Sequence, residues 1–260
     1  MSVKHRDRQL ALVPNVTALL LGLLLGIAVQ AETRTELAGE YARIFANGTA
    51  PEQMEATRRL AWLGLSDTQI FDPAEKNLMD RIGATEKESA DYAAYMAHAL
   101  AYSGQEKYRN TLTQAANTAA HKNLRRHATE ALGELGLYAR WNPIIGDTSN
   151  SDPKLSAEVN GFGSMLRSSE PDLHRLAAKR IYQGRIRDAG ILALLESRAE
   201  AAAKTAQAEK KDIDVTNWLL KALAATGDLK YRPIIEAAAT GSPDRKVQKS
   251  AQKYLKSYYP

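Results

Sequence analysis

Cysteine is absent from the 260 residues of the chain, so no disulfide can form and no thiolate can bind a metal ion. Histidine is scarce, and the four that follow the N-terminal segment are His98, His121, His127 and His174. His121 and His127 are six residues apart, a spacing that points them in different directions on one helix. No His-Glu-x-x-His motif occurs. The sequence therefore predicts no metal site and no cofactor.

Motifs for nucleophilic catalysis and phosphate binding are also missing. There is no Gly-x-Ser-x-Gly, and "NGFGSM" (160–165) lacks the lysine of a phosphate-binding loop and the spacing of a dinucleotide-binding turn. Ser250 and Lys253 match Ser-x-x-Lys, but the motifs that accompany it in penicillin-binding enzymes are absent. Carboxylate pairs such as Glu86 and Glu88 fit the starts of helices. We expect that the protein is not an enzyme and has no catalytic residues.

The N-terminus has an apolar run, Val16–Val29, that is shorter than the roughly 20 residues of a membrane-spanning helix. Lys4, Arg6 and Arg8 precede it, and small residues follow it up to Ala31. This order is typical of a secretory signal peptide, so we expect a signal at 1–31 and a mature periplasmic or secreted protein of 32–260. An uncleaved anchor is the alternative. No later segment is apolar enough to span a membrane.

A large excess of positive charge is lacking once the signal is set aside. The formal charge of the chain is +5, and the N-terminal segment contributes three basic residues against one acidic residue. The remaining chain is nearly neutral, and its basic residues are scattered among few aromatic residues. Nucleic acid is therefore not an expected partner.

The most informative feature is an internal repeat. Residues 99–132 align without a gap on 222–255, and eleven of the 34 positions are identical. The repeat includes a Lys-Tyr-Arg tripeptide, which occurs at 107–109 and at 230–232. The tripeptide is thus part of a copied structural unit.

Smaller copies recur about every forty residues, as apolar residues four positions apart that end at a glycine. This spacing places them along one side of a helix, with a small residue in the middle that allows close helix packing. The closing glycines, which suit the left-handed turn at a helix end, are Gly64, Gly104, Gly136, Gly184 and Gly227. We divide the chain into six helix pairs at about 34–64, 65–104, 105–136, 137–184, 185–227 and 228–260. We also expect an insertion at about 146–166 and a long exposed helix at 196–212.

Two of these copies, "NLRRHATEALGELG" (123–136) and "PDLHRLAAKRIYQG" (171–184), resemble HEAT repeats, including the short kind of phycobilin-lyase-like proteins. The resemblance is specific in the central and C-terminal copies, and the first two copies lack the Pro-Asp of the family. It implies an all-α fold, an α-solenoid of about six HEAT-like helix pairs in a right-handed superhelix. It implies no particular activity.

An extended concave surface suits recognition, so we expect an exported scaffold that binds another protein of the cell envelope. The alternative is an accessory or enzymatic factor that acts on an envelope polymer through the insertion. The C-terminal helix carries a lysine every three or four residues, which indicates either a polar cap for the last repeat or a surface for an acidic partner. Each Lys-Tyr-Arg indicates either packing between repeats or a binding site. The candidate partner-binding residues are Lys107, Tyr108, Arg109, Lys230, Tyr231, Arg232, Lys246, Lys249, Lys253 and Lys256.

Overall fold

The computed structural model describes residues 32–205 and 210–260, and all regular structure in these ranges is helical. The signal peptide expected at 1–31 lies outside the described residues. The helices are α1 (Arg34–Asn47), α2 (Ala50–Leu60), α3 (Thr68–Met79), α4 (Lys87–Tyr102), α5 (Arg109–Thr118), α6 (Lys122–Ile145), α7 (Ala157–Arg167), α8 (Pro171–Gly184), α9 (Ala189–Thr205), α10 (Lys210–Ala224), α11 (Arg232–Gly241) and α12 (Arg245–Tyr258). Within the same ranges, no helix is long and apolar enough to cross a membrane.

The helices pack as successive antiparallel pairs, which confirms the predicted all-α solenoid. The first helices of neighbouring pairs lie side by side, as α1 with α3 and α9 with α11 do. The second helices form the other layer, in which α4 lies between α2 and α6, and α10 lies between α8 and α12. The predicted apolar stripes are buried between the layers, and the central Ala128, Ala177 and Ala251 have no exposed surface.

Glycine ends three of the units as the sequence predicts. Gly64, Gly104 and Gly227 have φ angles of +62°, +66° and +71°, a left-handed conformation that costs other residues free energy. At Gly104 a Cβ atom would also lie 2.5 Å from the backbone nitrogen of Ala139, so this turn lets the chain approach α6 closely. In the fourth unit the left-handed residue is Arg185, with φ of 51°, rather than Gly184.

One predicted boundary is wrong, and one predicted exposure is wrong in part. Helix α6 does not end at Gly136 but continues to Ile145, because the apolar stripe continues through Leu135 and Tyr138 into the core. The predicted long exposed helix at 196–212 falls partly outside the described residues; within α9, Ala199 and Ala203 are buried rather than exposed. The sequence did not reveal this burial, because alanine on a buried face and alanine on an exposed face look alike in a sequence.

The expected insertion supplies the first helix of the fourth pair. A loop from 146 to 156 precedes α7, whose Glu158 accepts hydrogen bonds from Arg59 Nη2 at 2.8 Å and from Trp62 Nε1 at 2.6 Å. Ser164 Oγ donates to the backbone oxygen of Asp147 at 2.9 Å, and Lys154 is exposed. These contacts attach the segment to α2, and they bring together no nucleophile and base.

Candidate metal centre

Two neighbouring second helices bring a histidine pair together. His98 lies on α4, and His127 lies one turn before Glu130 on α6. Residues three apart on a helix lie on the same side, so His127 and Glu130 both face His98 across the seam between the helices. Both helices bury alanines, Ala97 and Ala131 among them, which lets the two backbones approach closely.

Three ligand atoms converge at this seam. His98 Nε2 lies 3.0 Å from His127 Nδ1, His127 Nδ1 lies 3.1 Å from Glu130 Oε2, and His98 Nε2 lies 4.0 Å from the same oxygen. A triangle with these sides has a circumscribed radius of about 2.0 Å, which is the usual length of a bond from zinc to nitrogen or oxygen. One ion can therefore contact all three atoms without a rearrangement of the helices.

Glu134 supports His98 from the other side of its ring. His98 Nδ1 lies 3.3 Å from Glu134 Oε2, so this nitrogen can donate its proton to the carboxylate while Nε2 stays available as a ligand. A carboxylate partner of this kind fixes the orientation of metal-binding histidines. The ring of Tyr102 packs near the same imidazole, with 6.0 Å between the centroids.

Arg126 occupies the other side of the cluster. Its Nη2 atom lies 2.8 Å from His127 Nε2, and its Nη1 atom lies 2.8 Å from Glu130 Oε1. Burial lowers the pKa of His127, and the positive charge of Arg126 lowers it further. Both effects favour the neutral form of His127, which is the form that binds a metal ion.

A cleft of about 480 Å³ opens beside the histidines, between α2, α4 and α6. Met54 and Ala94 supply apolar surface, and Asp91 and Asn123 supply polar groups. This volume lies in the range of small-molecule sites in proteins. An ion held by only three protein atoms keeps positions open for water or a ligand, and the cleft gives such a ligand access.

This geometry corrects one expectation. The expectation that the protein is not an enzyme is wrong in its basis, because His98, His127 and Glu130 form a group that could hold a metal ion. The predicted absence of a metal site and of catalytic residues stays a prediction. Spacings within one helix could not bring these three residues together. Aligning the stripe of Tyr92 and Met96 with that of Leu124 and Ala128 places His98 opposite Glu130. Comparing the two repeats would therefore have shown that these residues lie close together.

The first Lys-Tyr-Arg joins two repeats. The Tyr108 ring is fully buried, and its hydroxyl donates to Asp72 Oδ1 at 2.6 Å. Lys107 Nζ donates to the same carboxylate at 2.6 Å, and Arg109 Nη2 donates to Glu106 at 2.7 Å. Lys107 and Tyr108 thus attach the third helix pair to α3 of the second pair.

The second copy shares the buried tyrosine and the lysine contact to the preceding pair. Tyr231 is buried, Lys230 Nζ donates to Glu196 on α9 at 3.0 Å, and Arg232 Nε donates to Glu236 at 2.8 Å. In both copies the lysine reaches the first helix of the preceding pair. These contacts explain why the tripeptide was copied with its unit, and binding of a partner there stays a prediction.

The lysines of α12 are exposed. Lys246, Lys249, Lys253 and Lys256 lie on the side of the helix opposite the buried Val247, and no carboxylate lies within 4.0 Å of their ammonium groups in the part of the chain that the structure describes. They form a positive surface on the last helix. The structure does not bring them near His98, His127 or Glu130.

Known proteins resemble this chain weakly. No family model and no curated protein sequence matches the chain. Among solved structures, human deoxyhypusine hydroxylase in complex with glycerol matches with 14% identity over 86% of this chain and 85% of that chain, at a TM-score of 0.32. An engineered protein matches with 14% identity over 85% of this chain and 96% of that chain, at a TM-score of 0.24. The chain has a HEAT-like helical-repeat fold.

Proposed function

We propose that this protein is a metal-dependent helical-repeat protein, in which His98, His127 and Glu130 bind one divalent transition-metal ion. The observation that carries the proposal is the triangle of ligand atoms, whose circumscribed radius of about 2.0 Å equals a metal–ligand bond length. Two histidines and one carboxylate form the ligand set of many catalytic zinc sites and non-haem iron sites.

The centre suits catalysis more than structural support. Structural zinc sites use four protein ligands, whereas this group supplies three and borders an open cleft. Bound metal supplies Lewis-acid chemistry, which polarises a ligand or lowers the pKa of a coordinated water. Glu134 would hold His98 in place, and the cleft walls would bind the molecule that reacts.

Metal titration of the full-length chain tests the proposal. We expect calorimetry of the metal-free protein with zinc to show about one tight site per chain. His98→Gln and His127→Gln should each weaken zinc binding by at least about tenfold, because each removes one of three ligands. His121→Asn is the matched control, since His121 caps α6 away from the cluster and asparagine also caps helices. Equal affinity in the wild type and both ligand variants would refute the assignment.

A role in the cell envelope is a second proposal, and it rests on two features of the chain. The N-terminal segment has the order of a signal peptide, and the exposed lysine surface of α12 suits an acidic envelope partner. We also propose that the repeats are of the short HEAT kind found in phycobilin-lyase-like proteins. The substrate of the metal centre is then a group on an envelope molecule.

Replacing all four α12 lysines by glutamine tests the second proposal. Attraction between exposed charges is screened by salt, so we expect envelope fractions to release the wild-type protein as ionic strength rises. The variant should remain folded and lose this salt-sensitive association. If association is unchanged and the variant aggregates, the lysines serve only to keep the last repeat soluble.

A further inference from the structure

A cluster of half-buried aromatic rings spans α8, α10 and α12, the second helices of the last three pairs. The ring centroids of Tyr182 and Trp218 lie 6.1 Å apart, and those of Tyr254 and Tyr258 lie 6.5 Å apart. The Tyr254 hydroxyl donates to the backbone oxygen of Asn217 at 3.3 Å, which places the rings of α12 beside Trp218. Aromatic residues that cluster while partly exposed are typical of interfaces with other proteins.

Two lysines cover the faces of these rings. Lys221 Nζ lies 4.4 Å from the centroid of the Tyr182 ring and 4.8 Å from that of Trp218, and Lys179 Nζ lies 5.8 Å from the Trp218 centroid. An ammonium group at such a distance is attracted by the negative face of the ring. The planes of Tyr182 and Trp218 also meet at 64°, so the two rings form no flat platform. They present their edges, which carry partial positive charge, beside the ammonium groups.

The sequence around this cluster supplies positive charge without acidic residues. Eleven lysines and arginines, and no aspartate or glutamate, occur in the three segments 173–187, 215–227 and 245–260. Asp214, near the start of α10, is paired with Arg175. Among the residues that the structure describes, no carboxylate lies within 4.0 Å of Nζ of Lys179 or Lys221. The cluster thus joins positive charge to the apolar surface of aromatic rings.

From this geometry we propose an aromatic–lysine surface that binds an acidic segment of a partner protein. It consists of Lys179, Tyr182, Trp218, Lys221, Tyr254 and Tyr258. Carboxylates of the partner pair with the two ammonium groups, and its apolar side chains pack on the tyrosines of α12. Sugars and nucleic-acid bases are disfavoured, because they need open ring faces for stacking and lysines cover these faces. The surface requires neither the metal centre nor the exposed lysines of α12, which lie on another side of that helix.

Fluorescence anisotropy of a labelled peptide, titrated with the full-length chain, tests the proposal. The probe is a synthetic peptide of Glu-Glu-Leu repeats, and a Gln-Gln-Leu peptide of the same length is its control. We expect the wild type to bind only the acidic peptide, with an affinity that falls as salt rises. Lys179→Gln combined with Lys221→Gln should weaken binding by at least about tenfold, because charge-assisted contacts are lost. Lys249→Gln combined with Lys253→Gln removes the same charge from the other side of α12 and should leave the affinity unchanged.

The remaining measurements decide between a folding defect, another ligand and the proposed one. Circular dichroism should show the same helix content in both double variants as in the wild type, because all four lysines reach the surface. No binding of the acidic peptide by the wild type, or an equal affinity in the wild type and the Lys179 and Lys221 variant, overturns the proposal. Heparin, a sulfated polysaccharide, is titrated in parallel, and the proposal is also overturned if these two lysines are needed for heparin but not for the peptide. Weaker peptide binding in this variant alone supports the proposal.

Discussion

Small residues at the seam between α4 and α6 set the distance between the two histidines. Ala128 follows His127 directly and has no exposed surface. The three ligand atoms lie 3.0 to 4.0 Å apart, so a shift of one helix by about an ångström would separate them beyond the reach of a single ion. The chemistry of the site thus depends on residues that carry no functional group.

Replacing Ala128 by leucine should therefore have two effects. Overpacking of the buried seam should lower the free energy of unfolding by about 1–3 kcal/mol, and the displaced helices should weaken zinc binding. Ala139→Leu, on the exposed side of the same helix, should do neither. Chemical denaturation and zinc titration of both variants check this, and equal losses in the two would show that the buried side of α6 is misassigned.

At the scale of the helices, the residues that end a helix shape the fold as much as the apolar spacing within it. The glycine spacing predicts turns at Gly64, Gly104 and Gly227, and the structure confirms all three through their left-handed φ angles. Gly136 has the same sequence context, yet it lies inside α6 and a Cβ atom there would meet nothing within 4 Å. The pattern alone could not separate these cases, because only the neighbouring helix shows whether a side chain would collide.

Replacing Gly104 and Gly136 by alanine should change the free energy of unfolding in opposite directions. Gly104→Ala places a side chain in a left-handed turn and against the backbone of α6, so the free energy of unfolding should fall by more than about 1 kcal/mol. Gly136→Ala should raise it by up to about 1 kcal/mol, because alanine is the better residue within a helix. Denaturation with urea measures both, and a loss of stability in Gly136→Ala would contradict the account of α6.

For the whole molecule, the repeat predicts which helices are neighbours but not the contacts between distant units. Trp62, two residues after α2, stacks on Arg180 of α8, with 3.3 Å between the guanidinium carbon and the ring centroid. Arg59 also pairs with Glu158, 99 residues later in the chain. A repeat array is expected to make contacts between adjacent units only, so these links between the first and fourth units had no counterpart in the sequence pattern.

The proposed metal centre likewise depends on contacts between helices that the repeat pattern does not predict. The fold class, the helix pairs and the buried stripes follow from apolar spacing, because this spacing shows which side of each helix is buried. His98, His127 and Glu130 converge because α4 and α6 pack in one particular register. Spacings within a single helix do not reveal the register between two helices. Comparing equivalent positions of adjacent repeats is the step that would have found them.

Anomalous diffraction at the zinc edge, from crystals of the full-length protein grown with zinc, tests the central claim most directly. We predict an anomalous peak about 2.0–2.2 Å from His98 Nε2, His127 Nδ1 and Glu130 Oε2. If these three side chains keep their present hydrogen bonds and zinc binds only elsewhere, the account of the metal centre is contradicted.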